Sequence, residues 1–191
     1  GVVLKAADGA KPVIALTGEW TTIELLASTT FDGITFDGTG VCYYPISAFG
    51  SDAGTYTFKN CEFTGWTYWA ISNHYEDNTH VDSVLIENCL FHDAVGSAVY
   101  FNDAAPAGEH SCANFEMKNT TLYNLVEDEY VGIIHVSSRS EATGEQNKVV
   151  IDHITMYDCT TPSLGGITVR KSFDLSITNS IVAYSTNTDQ Y

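Results

Sequence analysis

The chain has 191 residues, with 8 Lys and Arg against 24 Asp and Glu, and its formal net charge is −16. Nucleic acids and anionic membrane surfaces are bound through clusters of Lys and Arg, so this charge argues against both as partners. The sequence contains no run of 18 apolar residues, and we therefore expect no membrane insertion. A hydrophobic content of 44% is ample for a packed core.

The first predicted strands cover residues 13–16 and 23–26, and we assign residues 1–30 to an N-terminal coil. Over residues 31–185 one pattern repeats: a hydrophobic residue, then Asn, Gly or His two positions later, then another hydrophobic residue three positions after that. The six copies are Phe31-Gly33-Phe36, Phe58-Asn60-Phe63, Ile86-Asn88-Phe91, Met117-Asn119-Leu122, Ile151-His153-Met156 and Ile177-Asn179-Val182. They start 26 to 34 residues apart, a period typical of stacked coils joined by loops of unequal length. We predict one domain over residues 1–191, and we expect it to be part of a longer chain.

The polar residue in each copy is predicted to turn a corner. Apolar residues alternate before it, as in Tyr56, Phe58 and Asn60, which is typical of a half-buried strand. Asn is the commonest non-glycine residue in the left-handed backbone region, so it suits a tight turn after the strand. Gly33 and His153 hold the same position in two copies. Stacked on one another, the Asn side chains would form a hydrogen-bonded ladder. Six unrelated turns would not explain the shared flanking pattern.

A second family of strands follows the copies, at residues 70–73, 98–101, 133–136 and 166–169. Each coil is therefore predicted to hold a strand, the Asn corner, a short strand, a loop and this third strand. Such coils, stacked in parallel, define an all-β fold, the parallel β-helix, here with about six to seven coils. No amphipathic helix covers either end of the predicted solenoid, and uncapped sheet edges pair readily with other strands. We therefore expect flanking domains or end-to-end association.

The five cysteines form no CxxC pair of the kind that binds zinc or exchanges disulfides. Their odd number excludes a complete internal disulfide framework. Cys61 and Cys89 directly follow the Asn of consecutive copies, so we predict that they stack as small buried thiols.

Two segments, residues 58–65 (FKNCEFTG) and 86–91 (IENCLF), resemble the repeats of the pectate-lyase-like right-handed parallel β-helix superfamily. Residues 11–16 and 31–38 resemble uncharacterised members secreted by polysaccharide-degrading gut bacteria. The resemblance covers about residues 10–185 and involves residues that build the fold. It implies a right-handed β-helix, a polysaccharide or other glycan as partner, and a secreted or cell-surface location, extracellular or periplasmic, in a bacterium. Members of this superfamily include uronide lyases, polygalacturonase-type hydrolases and surface glycan binders.

In active members of the superfamily the substrate lies along the outward face of the third strand. Outward positions on and beside these strands predict six substrate-binding residues, namely Ser72, His74, Tyr100, Asp103, His135 and Thr168. Aromatic faces stack on sugar rings, so Trp66 and Trp69 are further candidates for substrate binding. The alternative for these two tryptophans is packing in the interior of the coil.

A uronide lyase needs a base to remove the proton next to the sugar carboxylate, and a cation to neutralise the acid. The candidate bases are His135, Arg170 and Lys171. Ca²⁺ is the possible cofactor, and its candidate ligands are Asp103, Glu127, Asp128 and Glu129. Adjacent residues of a strand point to opposite faces, which counts against Arg170 and Lys171 acting together. A hydrolase would need two carboxylates about 5 to 10 Å apart, and Asp103 alone lies near these strands.

Two functions stay open. The first is a non-catalytic domain that binds polysaccharide or is accessory to glycan processing. The alternative is a polysaccharide lyase that cleaves uronic-acid glycans by β-elimination. The absence of a complete catalytic constellation favours the first, and the sequence does not decide whether the chain is an enzyme.

Overall fold

The structure is a computed structural model that describes residues 1–48, 54–73, 79–102, 110–127, 131–137, 147–161, 165–170 and 173–184. All regular secondary structure in these ranges is β-strand, so this part of the chain is all-β, as predicted. None of the described residues belongs to a helix with the length and apolar character needed to cross a membrane.

The twenty strands of the described residues are, in chain order, β1 (Val2–Lys5), β2 (Val13–Ala15), β3 (Ile23–Leu25), β4 (Thr29–Asp32), β5 (Thr35–Asp37), β6 (Ile46–Ala48), β7 (Thr55–Lys59), β8 (Glu62–Thr64), β9 (Trp69–Ser72), β10 (Val81–Glu87), β11 (Leu90–Val95), β12 (Ser97–Phe101), β13 (Cys112–Lys118), β14 (Thr121–Val126), β15 (Ile134–Ser137), β16 (Asn147–Asp152), β17 (Thr155–Thr160), β18 (Ile167–Arg170), β19 (Phe173–Thr178) and β20 (Ile181–Tyr184). The third strands predicted from the sequence correspond to β9, β12, β15 and β18.

The strands form three parallel sheets. Sheet 1 has the order β1-β4-β7-β10-β13-β16-β19, sheet 2 the order β2-β5-β8-β11-β14-β17-β20, and sheet 3 the order β3-β6-β9-β12-β15-β18. Because each strand pairs with the strand three elements later, the chain visits the three sheets in turn. We call one visit to all three sheets a coil. This topology is compatible with the predicted parallel β-helix.

The core consists of inward side chains stacked from coil to coil. Phe36, Phe63 and Phe91 are fully buried, and their successive ring centroids lie 4.8 and 4.6 Å apart. Neighbouring strands of a sheet are separated by about 4.8 Å, so in-register pairing brings identical rings into contact. Burial of a side chain of this size stabilises the fold by roughly 1.5–3 kcal/mol. The stacked rings therefore favour the observed register.

The corner between sheet 1 and sheet 2 confirms the prediction for the repeated polar residue. Left-handed backbone conformations occur, by their φ angles, at Asn60 (53°), Asn88 (55°), Asn119 (48°), His153 (52°) and Asn179 (50°). The Asn88 side chain donates a hydrogen bond to Asn60 Oδ1 at 3.4 Å, as a ladder requires. Asn60 and Asn179 donate instead to Asp32 and Asp152 of the preceding coil, at 2.7 and 2.9 Å.

A second left-handed corner, which the sequence pattern did not predict, follows the first by five residues. Its members are Gly65 (φ 69°), Asp93 (52°), Asn124 (49°) and Asp158 (51°). The Asn124 side chain donates a hydrogen bond to Asp93 Oδ1 of the preceding coil. Gly, Asp and Asn share their tolerance of this conformation, so no single residue type marks the position in the sequence.

The cysteines are buried and free, which confirms the prediction for Cys61 and Cys89. A hydrogen bond between these two thiols on consecutive coils, together with burial, raises the pKa of Cys89. A raised pKa disfavours the thiolate of Cys89, which is the reactive form of cysteine. The thiol stack is thus part of the scaffold.

The outer face of sheet 1 carries a row of alternating charge, which we call the charge ladder. Its in-register members are Lys5, Asp32, Lys59, Glu87, Lys118 and Asp152. Lys5 Nζ lies 3.4 Å from Asp32 Oδ2, and Lys59 Nζ lies 3.2 Å from Glu87 Oε2. Exposed pairs of this kind contribute roughly 0.2–1 kcal/mol each, and opposite charges that face one another on neighbouring strands favour the observed register.

Candidate functional site

The outward residues of sheet 3 form one row across successive coils. Strand pairing places Ser47, Ser72, Tyr100, His135 and Thr168 opposite one another in register. The predicted alignment of Ser72, Tyr100, His135 and Thr168 is therefore confirmed. Their role in substrate binding stays a prediction.

This row faces away from the core but is largely covered. Val99 and Phe101 belong to the core, so Tyr100 between them points to the outer face. Tyr100 and Thr168 are half-buried, whereas His135 is only 3% exposed. The Tyr100 and His135 rings stack with centroids 5.0 Å apart. His135 is outward, as expected, yet it is packed among other side chains and does not stand free in solvent.

Aromatic side chains extend this row into a continuous strip, which we call the outer aromatic strip. Its seven rings belong to Trp20, Tyr43, Tyr44, Tyr68, Trp69, Tyr100 and His135. Trp69 stacks on Tyr100 with centroids 3.9 Å apart and lies 5.2 Å from Tyr44. Tyr43 makes edge contacts at 4.9 Å with both Trp20 and Tyr68. Each ring therefore touches at least one other ring of the strip.

Exposure varies strongly along the outer aromatic strip. Trp20 is 68% exposed and Tyr43 and Tyr68 are half-buried, whereas Trp69 is 1% exposed. The buried ring of Trp69 is covered by its neighbours, and the accessible rings of Trp20, Tyr43 and Tyr68 lie at the edge of the strip. Such an arrangement presents aromatic surface to a ligand while the underlying contacts hold the rings in place.

The two candidate tryptophans have different environments. Trp66 is buried in the core, and its ring meets Phe91 edge-to-face at 6.1 Å. Trp69 packs against Tyr68 and Tyr100 on the outer face. Interior packing therefore accounts for Trp66, and the structure does not bring it to the outer aromatic strip.

Trp20 was not among the candidates predicted from the sequence, and Tyr43, Tyr44 and Tyr68 were not separated there from the other aromatic residues. A signal was present, because these residues directly precede strands of sheet 3. Trp20 comes before β3, Tyr43 and Tyr44 come before β6, and Tyr68 comes immediately before β9. An aromatic residue at the same place in successive coils predicts a stack on one face.

Glu127 is the one candidate metal ligand that the structure describes. It is 2% exposed, and its carboxylate lies 2.7 Å from Ser97 Oγ, which also lies 2.8 Å from the Gly132 carbonyl oxygen. Across the described ranges, no group of three or more His, Cys, Asp or Glu residues could hold a metal ion. The other candidates, Asp103, Asp128 and Glu129, lie outside the described residues. The Ca²⁺ site therefore stays a prediction.

Arg170 ends β18, is exposed, and pairs in register with Ser137. Residues two apart on a strand share a face, so Arg170 lies on the same outer face as Thr168. Lys171 and His74 lie outside the described residues. Of the three candidate bases, the described part of sheet 3 therefore brings two, His135 and Arg170, to the same outer face.

Glu19 places a negative charge beside Tyr43 of the outer aromatic strip. Glu19 is exposed, and its carbonyl oxygen accepts a hydrogen bond from the Tyr43 N–H at 2.8 Å. Desolvation, followed by the negative charge of Glu19, raises the pKa of Tyr43, which keeps its hydroxyl protonated. Along the described strands of sheet 3, Arg170 is the single Lys or Arg.

Sheet 2 carries a second, shorter aromatic row. His92 stacks on Tyr123 at 5.0 Å, and Tyr123 stacks on Tyr157 at 5.3 Å. The His92 ring nitrogens lie 2.9 Å from Glu62 Oε1 and 2.7 Å from Asp93 Oδ2. Tyr157 is 44% exposed. This row, which sequence reasoning also missed, offers an exposed aromatic ring on a different face.

A comparison with protein-family models finds no match for this chain, and a comparison with curated proteins finds none either.

Proposed function

We propose that the chain is a right-handed parallel β-helix of the pectate-lyase-like kind that binds polysaccharide along the outer aromatic strip. The three parallel sheets and the FKNCEFTG and IENCLF segments support the fold assignment. In this proposal the protein is secreted or displayed at the surface of a bacterium, and it is non-catalytic or accessory to glycan processing.

The observation that carries the binding proposal is the outer aromatic strip itself. Its rings come from five successive coils, and strand spacing puts the first and last about 19 Å apart. Aromatic rings combine a large apolar face with little conformational freedom, and sugar rings stack on such faces. The rings with accessible surface, those of Trp20, Tyr43, Tyr68 and Tyr100, come from four of these coils and are the ones that a sugar chain would contact. Exposed Trp20 is the ring most accessible to a ligand.

A lyase acting on uronic-acid glycans is the alternative. Arg170 favours it, because its position on the outer face beside Thr168 and His135 would let it act on a sugar lying along sheet 3. Release of unsaturated sugars, followed by ultraviolet absorbance and lost in Arg170→Ala, would favour the lyase over a binding domain. Lys171→Ala tests the neighbouring candidate base in the same assay.

Affinity gel electrophoresis in a panel of soluble polysaccharides tests the binding proposal. We expect at least one polysaccharide to retard the protein, and Trp20→Ala to weaken this binding by about 5- to 10-fold, since loss of one stacking ring costs roughly 1 kcal/mol. Tyr157→Ala is the matched control, because it removes an exposed ring from sheet 2. No retardation by any polysaccharide, or equal losses in both variants, would overturn the proposal.

A further inference from the structure

Most of the basic residues that the structure describes lie away from sheet 3. Lys5, Lys59 and Lys118 belong to the charge ladder on sheet 1, where aspartate and glutamate face them. Lys148 lies on β16 of the same sheet, and Lys11 precedes β2 of sheet 2. Five of the six described basic residues therefore lie where they cannot pair with a ligand on the outer aromatic strip.

Arg170, the sixth, lies one coil from His135 but too far from the exposed end of the outer aromatic strip to neutralise a sugar bound over Trp20. Its strand, β18, is three coils from Trp69 on β9, which corresponds to about 14 Å of sheet. The screening length at physiological ionic strength is about 8 Å, so the attraction between Arg170 and a carboxylate over Trp69 is weak.

A carboxylate lies beside the exposed end of the strip. Glu19 adjoins Trp20 in the sequence, and its carbonyl oxygen accepts a hydrogen bond from the Tyr43 N–H at 2.8 Å. A uronic-acid unit stacked on Trp20 would bring a second carboxylate towards Glu19, with no described cation to compensate. The net charge of −16 adds a long-range repulsion to this local one.

We infer that the outer aromatic strip selects uncharged polysaccharide and rejects uronic-acid polysaccharide. This inference rests on the proposed function, because it names the ligand class of the same strip. An uncharged sugar would be bound by ring stacking together with hydroxyl hydrogen bonds. An acidic sugar would be disfavoured by repulsion between its carboxylate and that of Glu19.

Matched ligand pairs test the inference: each neutral polysaccharide is compared with its derivative in which primary alcohols are oxidised to carboxylates, and polygalacturonate with its methyl ester. Affinity electrophoresis in the presence of EDTA should show at least tenfold tighter binding of the uncharged member. The preference should shrink as salt is raised, because screening removes the repulsion. Equal binding of the two members in EDTA, or tighter binding of the acidic one, would overturn the inference but leave the binding proposal intact.

The same inference can be tested by changing the charge of the protein instead of the charge of the ligand. Glu19→Lys should strengthen binding of the acidic derivative about tenfold and change binding of the neutral one less than twofold, whereas Glu116→Gln on sheet 1 should change neither. An acidic preference that appears on addition of Ca²⁺ and disappears with EDTA would overturn the inference in favour of cation-bridged uronide binding. Failure of every ligand to bind would overturn the proposed function itself, which is a different result.

Discussion

The outer faces of sheet 1 and sheet 3 have the same strand spacing and the same parallel register, yet they differ in chemistry. Sheet 1 carries the charge ladder, in which Lys59 and Glu87 are typical, half-buried members. Sheet 3 carries the outer aromatic strip, where Trp69 and His135 are almost completely buried.

This difference separates fold requirements from functional ones. Inward positions must fill the core, but outward positions meet no such demand, because a strand tolerates many residue types on its solvent face. A charge ladder is an ordinary solution for an exposed sheet, since it keeps the surface soluble and the register defined. Large aromatic residues on an outward face are not needed for solubility, and the accessible ones are the basis of the proposed binding surface.

The largest difference between the two faces is expected in stability. Trp69→Ala removes a ring packed between Tyr44 and Tyr100, and it should lower the free energy of unfolding by about 3–5 kcal/mol. Leu85→Ala, at a half-buried outward position on sheet 1, should cost about 1 kcal/mol or less. Denaturant unfolding measures both values. Equal costs for the two variants would show that sheet 3 is not packed more tightly than sheet 1.

Charge reversal should affect sheet 1 in a salt-dependent way. Lys59→Glu places a carboxylate between those of Asp32 and Glu87, which makes three in succession, and we expect the free energy of unfolding to fall by about 0.5–1 kcal/mol at low salt. The loss should shrink at high ionic strength because the side chains are exposed. A loss that is independent of salt would mean that Lys59 acts by packing its aliphatic stem and not by its charge.

The smallest effect is expected at acid pH, at the end of the charge ladder. Hydrogen bonds from Thr178 (2.6 Å) and Asn179 (2.9 Å) lower the pKa of Asp152. A carboxylate with a lowered pKa adds stability above its unfolded value, about 3.9, and this contribution is lost as pH falls towards the folded value. Asp152→Asn should therefore flatten the fall in unfolding free energy below about pH 4. If the free energy of unfolding fell with pH in the same way in the wild type and the variant, this prediction would be contradicted.

The fold could be predicted in large part because its signals are local. Asn60 and Asn88 end strands whose alternation is visible over a few residues, and their left-handed conformation follows from their own chemistry. The second corner escaped prediction because Gly65, Asp93 and Asn124 share a conformational tolerance but no residue identity. A corner is easy to detect when one residue type repeats there.

The candidate site was predictable only in part. Alternation identified Tyr100 and His135 as members of one outward row, and the strand register agrees. Trp66 and Trp69 are three residues apart and look equivalent in the sequence, yet one lies in the core and the other on the outer face. The chain turns between them at the start of a sheet 3 strand, and that turn has no clear marker in the sequence.

By itself, the sequence determined the repeated coil, the Asn corners and the inward faces of the strands, because each depends on a few consecutive residues. The tertiary structure decided which rings meet. Trp20, Tyr43, Trp69 and Tyr100 come from different coils, and their contacts depend on strand register and on turns of unequal length. Side chains brought together by stacking can be identified only once the stacking is known, and the outer aromatic strip is such a set.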